Sequence, residues 1–302
     1  MSEARHPERC AWCGGELGAD ADRLRGRIRC RRCGAATTDP WPDDAGLEDA
    51  YGTWYRPEQG GRFHFAGDAL LGRTRGLLAA RIDSIAPPGP VLDVGAGDGV
   101  LLDALRARGR RATGLERNSA RPDFEPGPIE TVGGDGEWAA VVLWHALEHL
   151  PRPRSAVREA ARLLKPGGVL AIAVPNGESM QAEAFGDEWL HLDIPRHLVH
   201  LSTTTLSRGL AEDGFRVERV SSYRGGQIVV GWLAGLVGRM PGNLDLYQAM
   251  RRPEARSAPM GSGRRAASIL AGVVMLPVAA ACSGVEIARR RGGTIYVEAR
   301  LG

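Results

Sequence analysis

The spacing of apolar and polar residues predicts helices and strands that alternate through the middle of the chain. Residues 68–85 carry apolar side chains at helical spacing, and the run Pro87-Pro88-Gly89-Pro90 ends that helix. Strands are then expected at 91–94, 111–115, 129–132, 139–143 and 169–174, and helices at 99–108, 154–164 and 203–213. This alternation predicts the α/β fold class, with an open, mostly parallel sheet and helices on both faces.

Two Cys-x2-Cys pairs stand near the start of the chain. Each pair, Cys10 with Cys13 and Cys30 with Cys33, is followed directly by glycine. Four thiolates at about 2.3 Å from one ion form a closed tetrahedral zinc site, which stabilises a fold and leaves no open position for catalysis. We therefore predict a zinc ribbon over residues 1–40. The ribbon either only stabilises the fold of this small lobe, or it forms a basic surface that presents substrate or nucleic acid to the next domain.

Two segments towards the end of the chain carry no charge, residues 225–238 and 266–285. The second is 20 residues long, which is enough to span a bilayer. Pro277 lies in its middle, and arginines flank it on both sides, so a span is the least favoured interpretation. The remaining alternatives are a buried helix pair and contact with an anionic inner leaflet through 225–285.

The net charge of +3 is unevenly distributed. Residues 1–34 hold eight arginines against five acidic residues, residues 250–302 hold nine against three, and the part between them is acidic. With 43% hydrophobic and 25% charged residues, the composition excludes a disordered or fibrous chain. The acidic body disfavours a nucleic-acid partner. Five cysteines cannot build a disulfide framework, and no apolar segment stands near the N-terminus, so we expect a cytoplasmic protein.

A glycine-rich turn follows the first predicted strand. Asp93 stands two residues before the first glycine of Gly95-Ala96-Gly97-Asp98-Gly99. Glycine lets the backbone pass close beneath a ligand and adopt positive φ. The spacing differs from the dinucleotide fingerprint, and no lysine follows to bind phosphates. The next strand ends at Glu116, where an acid can accept hydrogen bonds from ribose hydroxyls.

This turn, together with residues 141–150 (VVLWHALEHL) and 163–170 (LLKPGGVL), resembles the class I S-adenosylmethionine-dependent methyltransferases over about 68–220. The resemblance implies a Rossmann-like fold and S-adenosylmethionine as the cofactor. The cofactor-binding residues that it implies are Asp93, Gly95, Ala96, Gly97, Gly99, Glu116, Asp135 and Trp144. The family's usual Asp near Ala139 is missing, and the interval between Glu116 and Glu137 is short. A non-catalytic scaffold therefore stays open, and the helix in that interval is expected to be trimmed or absent.

Methyl transfer to a hydroxyl requires removal of a proton, and histidine suits that task because its pKa is near neutrality. We predict His197 as the general base, with His149 and His145 as further catalytic candidates. His191 and Arg196 are the candidate substrate residues, with Arg196 as a clamp for an anionic group. Residues 189–202 resemble the lid of small-molecule methyltransferases and, loosely, a segment of deoxysugar C-methyltransferases.

A Glu-His pair, Glu148 and His149, follows the fourth predicted strand. Some quinone-pathway O-methyltransferases use a similar segment around a divalent metal, whereas in most relatives it makes local hydrogen bonds. Both alternatives stay open.

The sequence thus predicts a methyltransferase that acts on a small molecule, such as a glycan, lipid-linked sugar or secondary metabolite, with oxygen favoured as the acceptor atom by family frequency. RNA methylation through the basic ribbon is the alternative enzyme activity. The expected units are the ribbon (1–40), an aromatic connector (41–67), the methyltransferase domain (68–224) and a C-terminal helical addition with a final strand (225–302). The oligomeric state stays open.

Overall fold

The computed structural model describes residues 5–19, 21–52, 63, 65–117, 121–222 and 227–302. Trp54 and Tyr55 of the expected aromatic connector lie outside the described residues.

The strands are β1 (Asp22–Leu24), β2 (Arg27–Arg29), β3 (Ala36–Thr38), β4 (Val91–Val94), β5 (Ala112–Leu115), β6 (Phe124–Glu125), β7 (Trp138–Trp144), β8 (Leu164–Pro175), β9 (Val199–His200), β10 (Phe215–Ser221) and β11 (Thr294–Leu301). The helices are α1 (Asp44–Ala50), α2 (Phe65–Ile85), α3 (Val100–Arg106), α4 (Pro153–Leu163), α5 (Met180–Phe185), α6 (Thr203–Glu212), α7 (Gln227–Gly238), α8 (Leu246–Met250) and α9 (Ser262–Ala288).

The main sheet has seven strands in the order β10-β11-β8-β7-β4-β5-β6. Strands β4 to β8 run parallel, and β11 is antiparallel to both β8 and β10. All four residues of β4 are buried, as expected for a central strand that is covered on both faces. The predicted Rossmann-like α/β class is confirmed, and the carboxyl ends of β4, β5 and β7 meet at one edge.

The expected strand at 129–132 is wrong. Residues Ile129–Thr131 form a 3-10 turn, and the third parallel strand is the two-residue β6. Pro126 and Pro128 explain the difference, because proline cannot donate a hydrogen bond to a strand ladder. Ile129 supplies its apolar side chain to the core from the turn instead. Between 121 and 137 the described chain contains no α-helix, in agreement with the trimmed connection expected from the short interval.

The cysteine ribbon shares a sheet with the central domain. Strands β1, β2 and β3 are joined by β9, which lies in the segment that follows β8 in the chain. Ala36 pairs with His200 and Thr37 with Val199. The expected units 1–40 and 68–224 are therefore connected by backbone hydrogen bonds as well as by the chain.

The final strand expected within the unit 225–302 belongs to the main sheet. β11 lies between β8 and β10, so helices α7, α8 and α9 form an insertion between two neighbouring strands. Within the described residues one helix, α9, is long and apolar enough to cross a membrane by length and composition. Of an apolar 18-residue stretch of this helix, 28% is buried. The helix continues through Pro277.

Candidate functional site

The glycine turn at the carboxyl end of β4 is shaped for close approach of a ligand. Gly95 and Gly97 adopt φ values of 71° and 62°, in the left-handed region that favours glycine. A Cβ on Gly95 would lie 2.7 Å from the Cβ of Ala146. The amide of Gly97 donates a 2.9 Å hydrogen bond to Glu116 Oε2, so the acid at the end of β5 also fixes the turn.

Asp93 lies directly beneath this turn and is 2% exposed. Burial raises the pKa of its carboxyl to about 7, and the nearby Arg75 guanidinium opposes that rise. A bound ligand with a positive group would favour the ionised carboxylate.

A cavity of about 40 Å³ opens beside the turn, and Leu71, Arg75 and Trp144 form part of its lining. The Arg75 guanidinium lies 5.1 Å from the centre of the Trp144 ring. Leu71 and Arg75 were not predicted from the sequence, because they belong to no motif and lie beside the turn only through the packing of α2. Small-molecule sites usually measure about 300–1,000 Å³, so this cavity is smaller than an ordinary ligand site, and the Leu71 and Arg75 side chains narrow it.

The structure corrects the expected role of Asp135. This residue precedes the amino end of β7, and the neighbouring Gly136 amide bonds the carbonyl of Arg162 at the end of α4. The Asp135 carboxylate pairs with the Arg162 guanidinium. Asp135 therefore lies at the edge of the sheet opposite the glycine turn, where it cannot reach a ligand bound beside Gly95.

A cluster of histidine and acidic side chains begins where β7 ends, next to Trp144. His145 adopts φ of 51°, a strained conformation that recurs at functional sites. Its Nδ1 lies 3.1 Å from Glu148 Oε1. Glu148 is 1% exposed, its Oε2 has no hydrogen-bond partner among the described residues, and burial raises its pKa.

His197 reaches the same cluster from the segment after β8. The rings of His149 and His197 are 4.6 Å apart, and one ligand-type atom from each of Glu148, His149 and His197 lies within 4.8 Å of the others. The set offers a proton-transfer cluster or three ligands for a divalent cation, so both alternatives from the sequence remain.

The tautomer of His197 follows from its contacts. Its Nδ1 donates to the carbonyl of His191 at 3.0 Å, since a carbonyl can only accept. Nε2 is therefore free to accept a proton and lies 3.7 Å from Asp193 Oδ2. Burial lowers the pKa of His197 to about 3, so the ring is neutral at physiological pH.

Arg196 does not act as the expected anion clamp in this arrangement. Its guanidinium pairs with Asp193, and its Nη1 donates to the carbonyl of Ala50 at 3.0 Å. Arg196 instead ties its segment to α1. His191 stays beside the cluster, and burial lowers its pKa to about 4.

The four cysteines converge as the spacing predicts. The Sγ atoms of Cys10 and Cys33 are 3.6 Å apart, those of Cys13 and Cys30 are 3.7 Å apart, and all four lie within 4.8 Å of one another. The hydrogen bond from Cys33 lowers the pKa of Cys10 to about 5. Four sulfur donors at these separations fit a tetrahedral zinc ion.

The family model described as "Methyltransferase domain" matches residues 69–220, which is half of the chain. The chain belongs to the methyltransferase-domain family. The resemblance found in the glycine turn and in residues 141–150 is thereby confirmed: residues 69–220 form a domain of the methyltransferase family.

Curated relatives of this methyltransferase match in the same region. A ubiquinone biosynthesis O-methyltransferase of Xanthomonas campestris pv. campestris (strain B100) is 31% identical over 121 residues, which cover 33% of this chain and 51% of that protein. One of the same name from Escherichia coli O139:H28 is 29% identical over 124 residues, covering 35% and 52%. The chain thus spans about half the length of the curated relatives it matches.

A solved structure of an S-adenosylmethionine-dependent methyltransferase from Archaeoglobus fulgidus aligns with a TM-score of 0.45 and 17% identity. The alignment covers 74% of this methyltransferase and 93% of the archaeal chain.

Proposed function

We propose that this methyltransferase transfers a methyl group to a hydroxyl oxygen of a small molecule, in the class of glycans, lipid-linked sugars and secondary metabolites. The observation that carries the proposal is the free Nε2 of His197, in a cluster that begins next to the cofactor-lining Trp144. The relatives named as ubiquinone biosynthesis O-methyltransferases support oxygen as the acceptor atom.

Bound S-adenosylmethionine supplies an electrophilic methyl group for in-line displacement. Asp93, the glycine turn and Glu116 would hold it at the carboxyl edge of the sheet. His197 takes the hydroxyl proton at Nε2, while its Nδ1–H continues to donate a hydrogen bond to the His191 carbonyl. The carboxylates of Asp193 and Glu148 lie close enough to stabilise the imidazolium that results.

Transfer of a labelled methyl group from S-adenosylmethionine into small-molecule extracts tests this function. We expect one labelled product whose mass increases by one CH₂, as a methyl ether. Glu116→Ala should remove the labelling by weakening cofactor binding, because its carboxylate fixes the Gly97 amide. Label in RNA would contradict the acceptor class, and a wild-type protein that binds no S-adenosylmethionine in calorimetry would contradict the activity.

We further propose that the four cysteines hold a structural zinc ion. The zinc ion would also stabilise residues 189–202, here called the acceptor segment, which carry His197. The ribbon is joined to this segment because β3 pairs with β9 and Thr38 Oγ1 donates a 2.5 Å hydrogen bond to the His197 carbonyl. His200 Nε2 lies 3.1 Å from the same hydroxyl.

Helix α9 presents its large apolar side chains outwards. The buried residues on this helix are small or polar: Ser268, Ala271, Gly272, Ala279, Ser283 and Glu286. Several large aliphatic side chains of α9 are exposed, and Leu270 and Val273 are each 64% exposed. An exposed apolar surface of this extent indicates an apolar partner.

Charge at the ends of α9 favours an anionic bilayer surface as that partner. Arg264 and Arg265 lie in its first turn, and Arg289–Arg291 follow its end. One side of α9 packs against α7 and α8, so the helix lies along the protein body. A helix that lies flat on one anionic surface can place both basic ends among lipid headgroups. We propose that 225–285 contacts the inner leaflet from the cytoplasmic side.

Leu270→Glu combined with Val273→Glu should weaken binding to vesicles of phosphatidylglycerol and phosphatidylcholine by at least about tenfold in cosedimentation. Burial of an aliphatic side chain contributes about 1.5–3 kcal/mol, and about 1.4 kcal/mol corresponds to tenfold. Leu77→Glu is the matched control, because Leu77 is 66% exposed on α2, outside this surface. A wild-type chain that stays in the supernatant, or a dimer that covers α9, would overturn the proposal.

A further inference from the structure

A groove of about 1010 Å³ lies between the cysteine ribbon and helices α4 and α6, apart from the cofactor turn. One wall consists of residues 5–14, 32, 33 and 41, and the other of residues on α4, on α6 and just before α4. The two walls are brought together by contacts of the ribbon with α6: Thr205 Oγ1 and Arg208 Nη2 both donate to the carbonyl of Cys33, at 3.0 and 2.6 Å.

Seven arginines and two glutamates line this groove, so its charge is strongly positive. The three lining arginines of α4 and α6 share two neighbouring acids: Arg154 and Arg158 pair with Asp213, and Glu212 pairs with Arg154 and, at 3.9 Å, with Arg208. These ion pairs fix the α4 and α6 wall but do not reach the arginines across the groove.

Of the other four lining arginines, three have no acidic partner within the described residues, and the fourth has a long, exposed ion pair. Among the described residues, Arg5, Arg9 and Arg32 have no carboxylate oxygen within 4.0 Å. The contact of Arg152 to Glu130 is 3.9 Å long, and the Arg152 side chain is 77% exposed. The four guanidinium groups come from three separate chain segments. Since α4 begins at the groove without an acidic residue in its first turn, its positive end adds to the same field.

The floor of the groove is rigid and aromatic. Trp12 is 2% exposed, and the Arg154 guanidinium lies 5.2 Å from the centre of its ring. A Cβ on Gly209 would lie 2.4 Å from the Trp12 ring, so α6 packs directly on it. A volume of this size is at the upper end of small-molecule sites, about 300–1,000 Å³, which leaves room for an organic group beside an anion.

We infer that this groove binds a small molecule that carries a diphosphate group. Guanidinium groups recognise phosphate oxygens through paired, charge-assisted hydrogen bonds. The arginines without acidic partners on the ribbon wall, together with the exposed Arg152 on the opposite wall, suit the two adjacent phosphates of a diphosphate. The inference concerns binding at a second site and is independent of the base assigned to methyl transfer.

Calorimetric titration of the zinc-loaded full chain with inorganic pyrophosphate tests this site. We expect saturable binding that weakens as salt concentration rises. Arg9→Ala combined with Arg32→Ala should weaken it by at least about tenfold, because a hydrogen bond to a charged group contributes about 1.5–3 kcal/mol. Arg152→Ala should also weaken binding, from the opposite wall and outside the cysteine ribbon.

The matched control is Arg25→Ala combined with Arg29→Ala, which removes the same charge from exposed ribbon positions outside the groove. Pyrophosphate affinity should be unchanged in this control, and zinc content should be equal in all variants. Equal weakening in control and groove variants would overturn the inference in favour of nonspecific attraction. Tighter binding of a single-stranded RNA oligomer than of pyrophosphate, lost in the same groove variants, would overturn it in favour of a nucleic-acid site.

Discussion

His197→Ala is expected to lower the rate of methyl transfer by about 10²-fold, the lower end of what a positioned general base contributes, because a ring whose pKa is about 3 is a weak base. Affinity for S-adenosylmethionine should be unchanged, because His197 is not among the residues that line the cavity beside the glycine turn, where we propose that the cofactor binds. Single-turnover transfer of labelled methyl to the acceptor, together with calorimetry of cofactor binding, measures the two quantities separately.

The pH dependence of this rate carries a second signature of the buried ring. An ordinary histidine base becomes protonated as pH falls through about 6.5 and the rate falls with it. The pKa of His197 is lowered to about 3, so the ring stays neutral and able to accept a proton between pH 5 and 7. We therefore expect the wild-type rate to fall near pH 6.5 by no more than the rate of His197→Ala does.

Two comparisons separate a base from other roles of His197. His200→Gln, a change to a buried histidine of the same segment that contacts Thr38, should keep most of the activity. Added imidazole should partly restore His197→Ala if the missing function is proton acceptance. Unchanged turnover in His197→Ala removes it as the base, and a rate that depends on added Mg²⁺ would favour the alternative in which Glu148, His149 and His197 bind a metal.

Removal of zinc, or Cys30→Ser, is expected to abolish methyl transfer while cofactor binding persists. Structural zinc contributes about 10–16 kcal/mol of apparent binding free energy in small ribbon and finger domains, so the ribbon should unfold without it. Loss of β3 would leave β9 without its partner strand and would remove the Thr38 hydrogen bond to the His197 carbonyl. Among the described residues, the amide hydrogen bonds of the glycine turn between β4 and α3 go to β5, to Glu116 and to the turn itself, and none of them joins it to the ribbon.

The zinc prediction is checked by metal analysis, circular dichroism and calorimetry on the same samples. Cys282→Ser is the matched control, since Cys282 lies on α9 outside the four-cysteine cluster, and this variant should behave like wild type. A chain that contains no zinc and remains folded and active would contradict the proposal. Parallel loss of cofactor binding would show that the ribbon stabilises the whole domain rather than the acceptor segment alone.

Local patterns determined the parts of this protein that depend on neighbouring residues. The alternation of helices and strands, the glycine turn with Asp93 and Glu116, and the paired cysteines are all set by short spacings in the sequence. The wrong prediction of a strand at 129–132 has a local cause as well, because Pro126 and Pro128 outweigh the apolar character of that segment.

Only the tertiary structure decided which of these features meet. Strand pairing between Thr37 and Val199 joins residues far apart in the chain, and no local spacing encodes it. The same holds for β11 inside the main sheet, for Arg75 above Trp144, and for Asp135 at the far edge. Hydrophobic spacing indicates that a helix side is apolar but not what covers it, so the outward face of α9 emerged only once the packing of α7 and α8 was fixed.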